Sequence, residues 1–326
     1  LEIPVLKTGQ CLVEVRFSGA CHTQLLEARG RRGEDPWLPH CLGHEASGVV
    51  LEVGADVSRV SVHERVALSW IKASGIEAGG SVYNWNGMGV NAGAVTTFQR
   101  HAVVSENRLT VLPDALAMKE ATLLGCALPT GLGAVMNVGK PLAGESVAIF
   151  GAGGVGLCAV MGAVVSNCSP VIVIDLIDSK LEMATTFGAT HTINASKGDG
   201  IAEVMEICPN GVDLSIEATG RPAVMATALT AVRAQGGRAV VIGNAPKGQT
   251  IVLDPWQFNQ GKSLLGTWGG DSQPDHDFPK FAELMINEEI DVKPLFSYHY
   301  HLEETNLALD DLEDGKTGRP IIDMEL

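Results

Sequence analysis

Apolar and polar positions change rhythm twice along this chain. Between about residues 10 and 105 short β-type runs recur: Cys11-Leu12-Val13-Glu14-Val15, Gly48-Val49-Val50-Leu51-Glu52-Val53 and Arg65-Val66-Ala67-Leu68. Turn residues bound each of them, as strands require. From about residue 127 the apolar runs Ser146–Phe150, Val171–Ile174, Asp213–Glu217 and Arg238–Ile242 are continuous instead of alternating. Continuous runs mark strands buried on both faces of a parallel sheet. Helical stretches separate them, from Val155 to about Val165, Ser179 to Phe187, about Gly200 to Ile207 and Pro222 to Ala234. Strand alternating with helix predicts a doubly wound α/β sheet. Beyond about Gly266 the texture returns to mixed helix and strand, so the tail is expected to rejoin the first domain. The expected organisation is a β-rich domain over 1–127, an α/β domain over 128–266 and a return segment over 267–326.

Composition narrows the function classes. A chain of 326 residues with 45% hydrophobic content and 38 glycines is long enough for two ordinary domains. Its net charge of −15 argues against a nucleic-acid partner, which calls for a basic patch or stripe. The longest apolar runs, such as Val171-Ile172-Val173-Ile174, are far too short to span a bilayer, and no charged-then-apolar leader is visible. Seven scattered cysteines with no C-x-x-C pair do not form a disulfide framework. They fit a reducing, cytoplasmic compartment with some thiols buried and some metal-bound.

A dinucleotide fingerprint opens the α/β half. Gly151-Ala152-Gly153-Gly154-Val155-Gly156 follows the strand Val147-Ala148-Ile149-Phe150 and opens an apolar helix. Its glycines permit a tight turn, close approach of a pyrophosphate and close helix–strand packing. The helix N-terminus then offers free N–H groups and a positive dipole end to the phosphates. The next strand ends in an acid, Asp175, whose carboxylate would accept hydrogen bonds from ribose hydroxyls and repel a 2′-phosphate. That combination favours NAD over NADP.

Three separated fragments together can close a catalytic zinc site: Cys21-His22-Thr23, Gly43-His44-Glu45 and Gly125-Cys126. Catalytic zinc takes three protein ligands and leaves a fourth position open, which two thiolates and one imidazole satisfy. Glu45 is placed to support the metal from behind, as carboxylates commonly do. Cys41 and the cysteines at 11, 158, 168 and 208 fall in or beside apolar segments and read as packing.

In this order, Cys-His-Thr, Gly-His-Glu and Gly-Cys ahead of Gly-x-Gly-Gly-Val-Gly, the chain resembles the zinc-dependent alcohol dehydrogenases of the medium-chain dehydrogenase/reductase (MDR) superfamily. The similarity runs from the strand near Cys11 to Gly318-Arg319-Pro320-Ile321-Ile322. It implies a two-domain α/β protein, with a GroES-like β-rich catalytic domain and a Rossmann domain inserted before its last segment. It also implies zinc ligands at Cys21, His44 and Cys126, Glu45 close behind the metal, and Thr23 as the hydroxyl that bonds the alkoxide. On the cofactor side it implies ribose contacts at Asp175 and Lys180, a pyrophosphate contact at Arg319 and a cationic phosphate contact at His22. Trp70 and Phe98 fall where the family lines its substrate pocket. The reaction implied is reversible hydride transfer between a small-molecule alcohol and NAD, giving an aldehyde or ketone. Zinc lowers the alcohol's pKa and Thr23 passes its proton toward the cofactor ribose. The resemblance further implies a homodimer or homotetramer.

Departures from the family pattern sharpen this picture. Many members carry a second, structural zinc held by four close cysteines; the corresponding stretch here, about Ala73 to Ala94, has none. One catalytic zinc per chain and no structural zinc is therefore expected. The aspartate that usually follows Cys-His-Thr is Gln24, which removes a negative charge from beside the metal ligands. The histidine that ends the proton relay in some members is Leu26. Tyr83, Asn84, Trp85 and Asn86 read either as a loop beside the pocket, whose aromatic and amide groups would suit a polyol or sugar-like alcohol, or equally as a surface loop with no ligand role. Two other readings stand beside the main one: a zinc-free quinone or enone reductase of the superfamily, and a non-catalytic NAD-binding member of the fold.

Overall fold

The computed structural model describes residues 1–296, 298–316 and 318–326. It divides into two units, Leu1–Cys126 with Gln273–Leu326 and Ala127–Ser272.

In the first unit, β1 (Gln10–Gly19) points Cys11, Val13 and Val15 inward at every second residue. It pairs antiparallel with β2 (Glu45–Val53), which pairs in turn with β3 (Arg65–Ser69). Register shifts at Leu12/Val13 and Val15/Phe17 bend the β1–β2 ribbon, as bulges do. β4 (Ser81–Trp85) and β5 (Met88–Gly93) form a separate hairpin, while β6 (His101–Ser105) pairs with β1 and β7 (Leu109–Val111) with β3. Val50, Val66, Leu68, Val104 and Leu109 complete a core around the inward face of β1.

The second unit carries a six-stranded sheet, every neighbouring pair parallel. Its strands are β8 (Val147–Phe150), β9 (Val171–Asp175), β10 (His191–Asn194), β11 (Leu214–Glu217), β12 (Arg238–Val241) and β13 (Ser263–Gly266), in the spatial order β10-β9-β8-β11-β12-β13. The chain therefore moves outward from β8 to β10 and then crosses to the other side of β8. The crevice between the carboxyl ends of β8 and β11 is the switch point at which such sheets bind ligands. After Gln273 the chain returns to the first unit, where β14 (His299–His301) pairs with β15 (Ile321–Asp323) and β15 with the end of β1. Among the described residues no single helix is long and apolar enough to cross a membrane.

Three expectations are corrected, and two strands, β10 and β13, are additions to those expected. Strands β10 and β13 carry no continuous apolar run: His191 and Thr192 are exposed and only Ile193 of β10 is buried. The helix expected over Pro222–Ala234 stops at Ala231, because Val232 turns extended and bridges Val212. Residues 267–272 belong to the second unit, where Ser272 Oγ donates to the Pro129 carbonyl at 2.9 Å. Finally, the Tyr83–Asn86 loop is a hairpin. Asn86 and Gly87 both take positive φ, 51° and 86°, the turn that matches strand twist.

Candidate metal centre and dinucleotide fingerprint

Three chain segments converge within the first unit. β1 ends at Gly19, and after Ala20 the chain enters a short helix, His22–Ala28, with Cys21 extended at its N-cap. Gln24 closes this helix start by accepting the Cys21 N–H at 2.9 Å. His44 immediately precedes β2, and Cys126 follows a single turn, Thr122–Gly125. That turn lies hard against β2 and β3: a Cβ on Gly125 would sit 2.4 Å from the Leu68 carbonyl oxygen and 2.6 Å from Glu45 Cβ. Ser69 Oγ secures it by donating to the Gly125 carbonyl at 2.7 Å.

The result is a compact donor set. One ligand atom each from Cys21, His44 and Cys126 lies within 4.8 Å of the others. His44 Nε2 is 3.2 Å from Cys126 Sγ, and its Nδ1 meets the Gln24 side-chain nitrogen. Trp70 stands edge-on to the imidazole, ring centres 6.4 Å apart. Cys21 and Cys126 are buried. A hydrogen bond from Cys126 holds the Cys21 thiol well below its ordinary pKa against the opposing effect of burial, with Arg319 and His44 assisting. The same bond, with burial, pushes Cys126 well up. Two sulfurs and one imidazole nitrogen, one sulfur already favouring the thiolate, fit zinc in donor type and spacing.

Glu45 and Arg319 lie beneath this set. Both are buried, at 0% and 3% exposure, and they form an ion pair between Glu45 Oε1 and Arg319 Nη2. Burial pushes the Glu45 carboxyl up against the pull of Arg319. Burial also opposes the Arg319 charge, but Glu45 and the two cysteines more than offset it. This pairing was not legible in the sequence, because nothing local links two residues at opposite ends of the chain. Of the remaining site residues in this unit, His22 is exposed and Thr23 half-buried, at the first two positions of the short helix. Phe98 packs partly against Ala20, Leu25 and Leu309, and Leu26 is buried.

The hairpin residues turn away from a ligand role. Tyr83 is buried, and its hydroxyl accepts the Val103 N–H at 2.7 Å and a Gln99 amide hydrogen at 3.1 Å. Asn84 donates to Glu2 at 2.6 Å and accepts the Gly87 N–H at 2.8 Å. These groups serve the hairpin itself, which weakens the polyol reading drawn from them.

In the second unit the fingerprint forms the turn between β8 and the helix Gly154–Val165. Gly151 has φ of +98°, and a Cβ on Gly156 would lie 1.8 Å from the Gly151 carbonyl oxygen, so neither position accepts a side chain. Around Gly153 the space is open, which leaves the backbone approachable. Asp175 ends β9, and its carboxylate accepts N–H groups from Ala152 at 2.7 Å, Leu176 at 2.7 Å and Ile177 at 3.1 Å. It thereby ties the fingerprint loop to the end of β9. Lys180 is half-buried in the helix Asp178–Thr186.

Residues 7–114 match the Alcohol dehydrogenase GroES-like domain family, and residues 154–287 match the Zinc-binding dehydrogenase family. An S-(hydroxymethyl)glutathione dehydrogenase of Synechocystis sp. is 32% identical over 351 residues, covering 99% of this chain and 94% of that protein. The chain belongs to the zinc-dependent alcohol dehydrogenases of the MDR superfamily. Benzyl alcohol dehydrogenase from Acinetobacter calcoaceticus superposes with a TM-score of 0.90 at 29% identity, over 99% of this chain and 94% of that one. An alcohol dehydrogenase zinc-binding domain protein from Burkholderia ambifaria gives 0.87 at 29%, over 97% and 92%. As a zinc-dependent alcohol dehydrogenase this protein is an oxidoreductase that interconverts alcohols and carbonyl compounds with a nicotinamide dinucleotide. The zinc-free reductase reading is thereby set aside.

Proposed function

We propose that the protein is an NAD-preferring dehydrogenase of primary alcohols that uses one catalytic zinc held by Cys21, His44 and Cys126. The observation that carries this reading is the convergence of two sulfurs and an imidazole nitrogen within 4.8 Å, one sulfur favouring the thiolate. When bound, zinc supplies a Lewis acid that lowers the alcohol's pKa, and the nicotinamide accepts the hydride.

The chain's own residues do the rest. Cys21, His44 and Cys126 fix the cation, and Glu45 with Arg319 sets the charge behind them. Thr23 takes the hydroxyl proton and passes it on. With Leu26 in place of the relay histidine, the proton leaves to water by another route. The fingerprint residues Gly151, Gly153, Gly154, Val155 and Gly156, with the helix they open, bind the cofactor's pyrophosphate. His22 and Arg319 add positive charge to it, the latter while still paired with Glu45. Asp175 and Lys180 hold the adenosine ribose, and the Asp175 charge disfavours a 2′-phosphate. Trp70 and Phe98 line the alcohol's approach, and the edge contact of Trp70 with His44 supports that role.

The primary-alcohol class rests on the relatives, whose named substrates, S-(hydroxymethyl)glutathione and benzyl alcohol, are both primary alcohols. An oligomer is expected through the outer edge of β13, whose preceding segment exposes Val252, Trp256 and Phe258. None of the seven cysteines forms a disulfide, in keeping with a cytoplasmic setting. The test is metal content and NADH formation across aromatic and aliphatic alcohols for the wild type and Cys126→Ala. We expect about one zinc per chain and NAD reduction in the wild type, and loss of both in the variant. Turnover by Cys126→Ala equal to wild type would overturn the assignment.

A further inference from the structure

The residue at the second ring nitrogen of His44 sets which nitrogen carries the proton, and that assignment follows from hydrogen-bond chemistry. The Cys21 backbone N–H can only donate, and it donates to Gln24 Oε1 at 2.9 Å. The Gln24 side-chain oxygen is therefore committed, and the amide's NH₂ faces His44 Nδ1. An NH₂ group offers only donors, so Nδ1 must accept. The neutral imidazole then carries its proton on Nε2, which points at Cys126 Sγ 3.2 Å away. Three hydrogen bonds thus link four residues in a continuous chain: Cys21 N–H to Gln24, Gln24 to His44 Nδ1, and His44 Nε2–H to the Cys126 sulfur.

That chain opposes metal binding. To offer a lone pair from Nε2, the neutral ring must carry its proton on Nδ1, where the proton would meet the Gln24 NH₂ head-on. Gln24 is 1% exposed, so water cannot easily take over the lost contacts. Turning the amide over restores an acceptor at Nδ1 but sets its NH₂ against the Cys21 N–H, leaving one buried donor unpaired. A carboxylate has no such conflict, since it accepts from both sides.

We propose that Gln24 is a positioning residue that holds His44 in the Nε2–H tautomer and thereby weakens the site's grip on zinc. The inference rests on the metal ligands proposed above. Gln24→Glu keeps the length and shape of the side chain and replaces its donor with an acceptor. Outer partners of ligating histidines typically change metal affinity ten- to a hundredfold, so Gln24→Glu is expected to tighten zinc by about that factor.

Two measurements test it. The ring nitrogen shifts of His44 in the metal-free wild type, read by ¹⁵N NMR, should report protonation at Nε2, and those of Gln24→Glu at Nδ1. Zinc dissociation constants, from competition between protein and a chromophoric chelator, should then fall about ten- to a hundredfold in the variant. Protonation at Nδ1 in the metal-free wild type would overturn the proposal, and that reading needs no variant. Equal zinc affinity of wild type and Gln24→Glu would also overturn it. Failure of the ligand assignment looks different: zinc uptake would then be indifferent to Cys126→Ala, whatever the tautomer.

Discussion

Replacing Arg319 with methionine separates two roles that this side chain can play. If it served only the cofactor, its loss would weaken NAD binding and leave the fold intact. Its place beside the proposed metal ligands, buried at 3% exposure against a fully buried Glu45, predicts a second effect. Removing one partner of a buried ion pair typically destabilises by about 3–5 kcal/mol. An independent bound comes from proton uptake. A carboxylate left without its cation escapes burial by protonating, and from an unfolded pKa of about 4.3 that costs about 3.7 kcal/mol at pH 7. The two figures agree.

The second also fixes a pH dependence. In Arg319→Met the folded state would hold a proton on Glu45 that the unfolded state has lost, so stability must fall as pH rises, by about 1.4 kcal/mol per unit between pH 5 and 7. The penalty relative to wild type therefore shrinks toward pH 5. Urea unfolding followed by tryptophan fluorescence and far-UV circular dichroism at pH 5, 6 and 7 reads this directly. The two units are fitted as separate transitions because they need not unfold together. A wild-type midpoint at pH 7, or a penalty that does not change with pH, would refute the pairing.

Three further outcomes follow from the same geometry. Asp175→Ala should raise the kcat/KM ratio of NADP to NAD about ten- to a hundredfold, the worth of hydrogen bonds to a charged group; an unchanged ratio removes Asp175 from cofactor choice. Gly156→Ala puts a Cβ 1.8 Å from the Gly151 carbonyl oxygen. Overpacking of that kind costs about 1–3 kcal/mol, and if the cofactor-binding turn carries that strain, NAD affinity measured by NADH fluorescence titration should drop about 5- to 150-fold. Glu106 accepts backbone N–H groups from Ser58, Arg59 and Ile76, which outweigh burial and hold its carboxyl below the usual range. Its contribution to stability is complete at neutral pH and lost as pH falls below about 4.3. Glu106→Gln should cost about 2 kcal/mol at pH 7 in urea unfolding and much less at pH 3, whereas equal costs at both would contradict it.

The chemistry of this protein was more legible in its sequence than its packing was. The parallel strands β8, β9, β11 and β12 announced themselves as continuous apolar runs, because both their faces are covered. β10 did not, since an edge strand buries little and His191 and Thr192 face water. The proposed metal ligands stood out because thiol and imidazole groups beside Gly-His-Glu and Gly-Cys are chemically distinctive. The Glu45–Arg319 pair left no local trace, as two ordinary charged residues meet only through β15 returning to the end of β1. Tyr83 misled for the opposite reason. An aromatic beside two asparagines resembles a binding loop, yet strand alternation turns its ring into the core and its hydroxyl onto Val103. Gln24 was visible as a departure from the family, but its consequence needed the Cys21 N–H that orients its amide.

The central claim is that Cys21, His44 and Cys126 together hold a zinc ion. X-ray absorption at the zinc edge of the purified protein tests it most directly. The account predicts two sulfur neighbours at about 2.3 Å and one imidazole nitrogen at about 2.0–2.1 Å, with the fourth position filled by a light atom. Four sulfurs, or none, would contradict it.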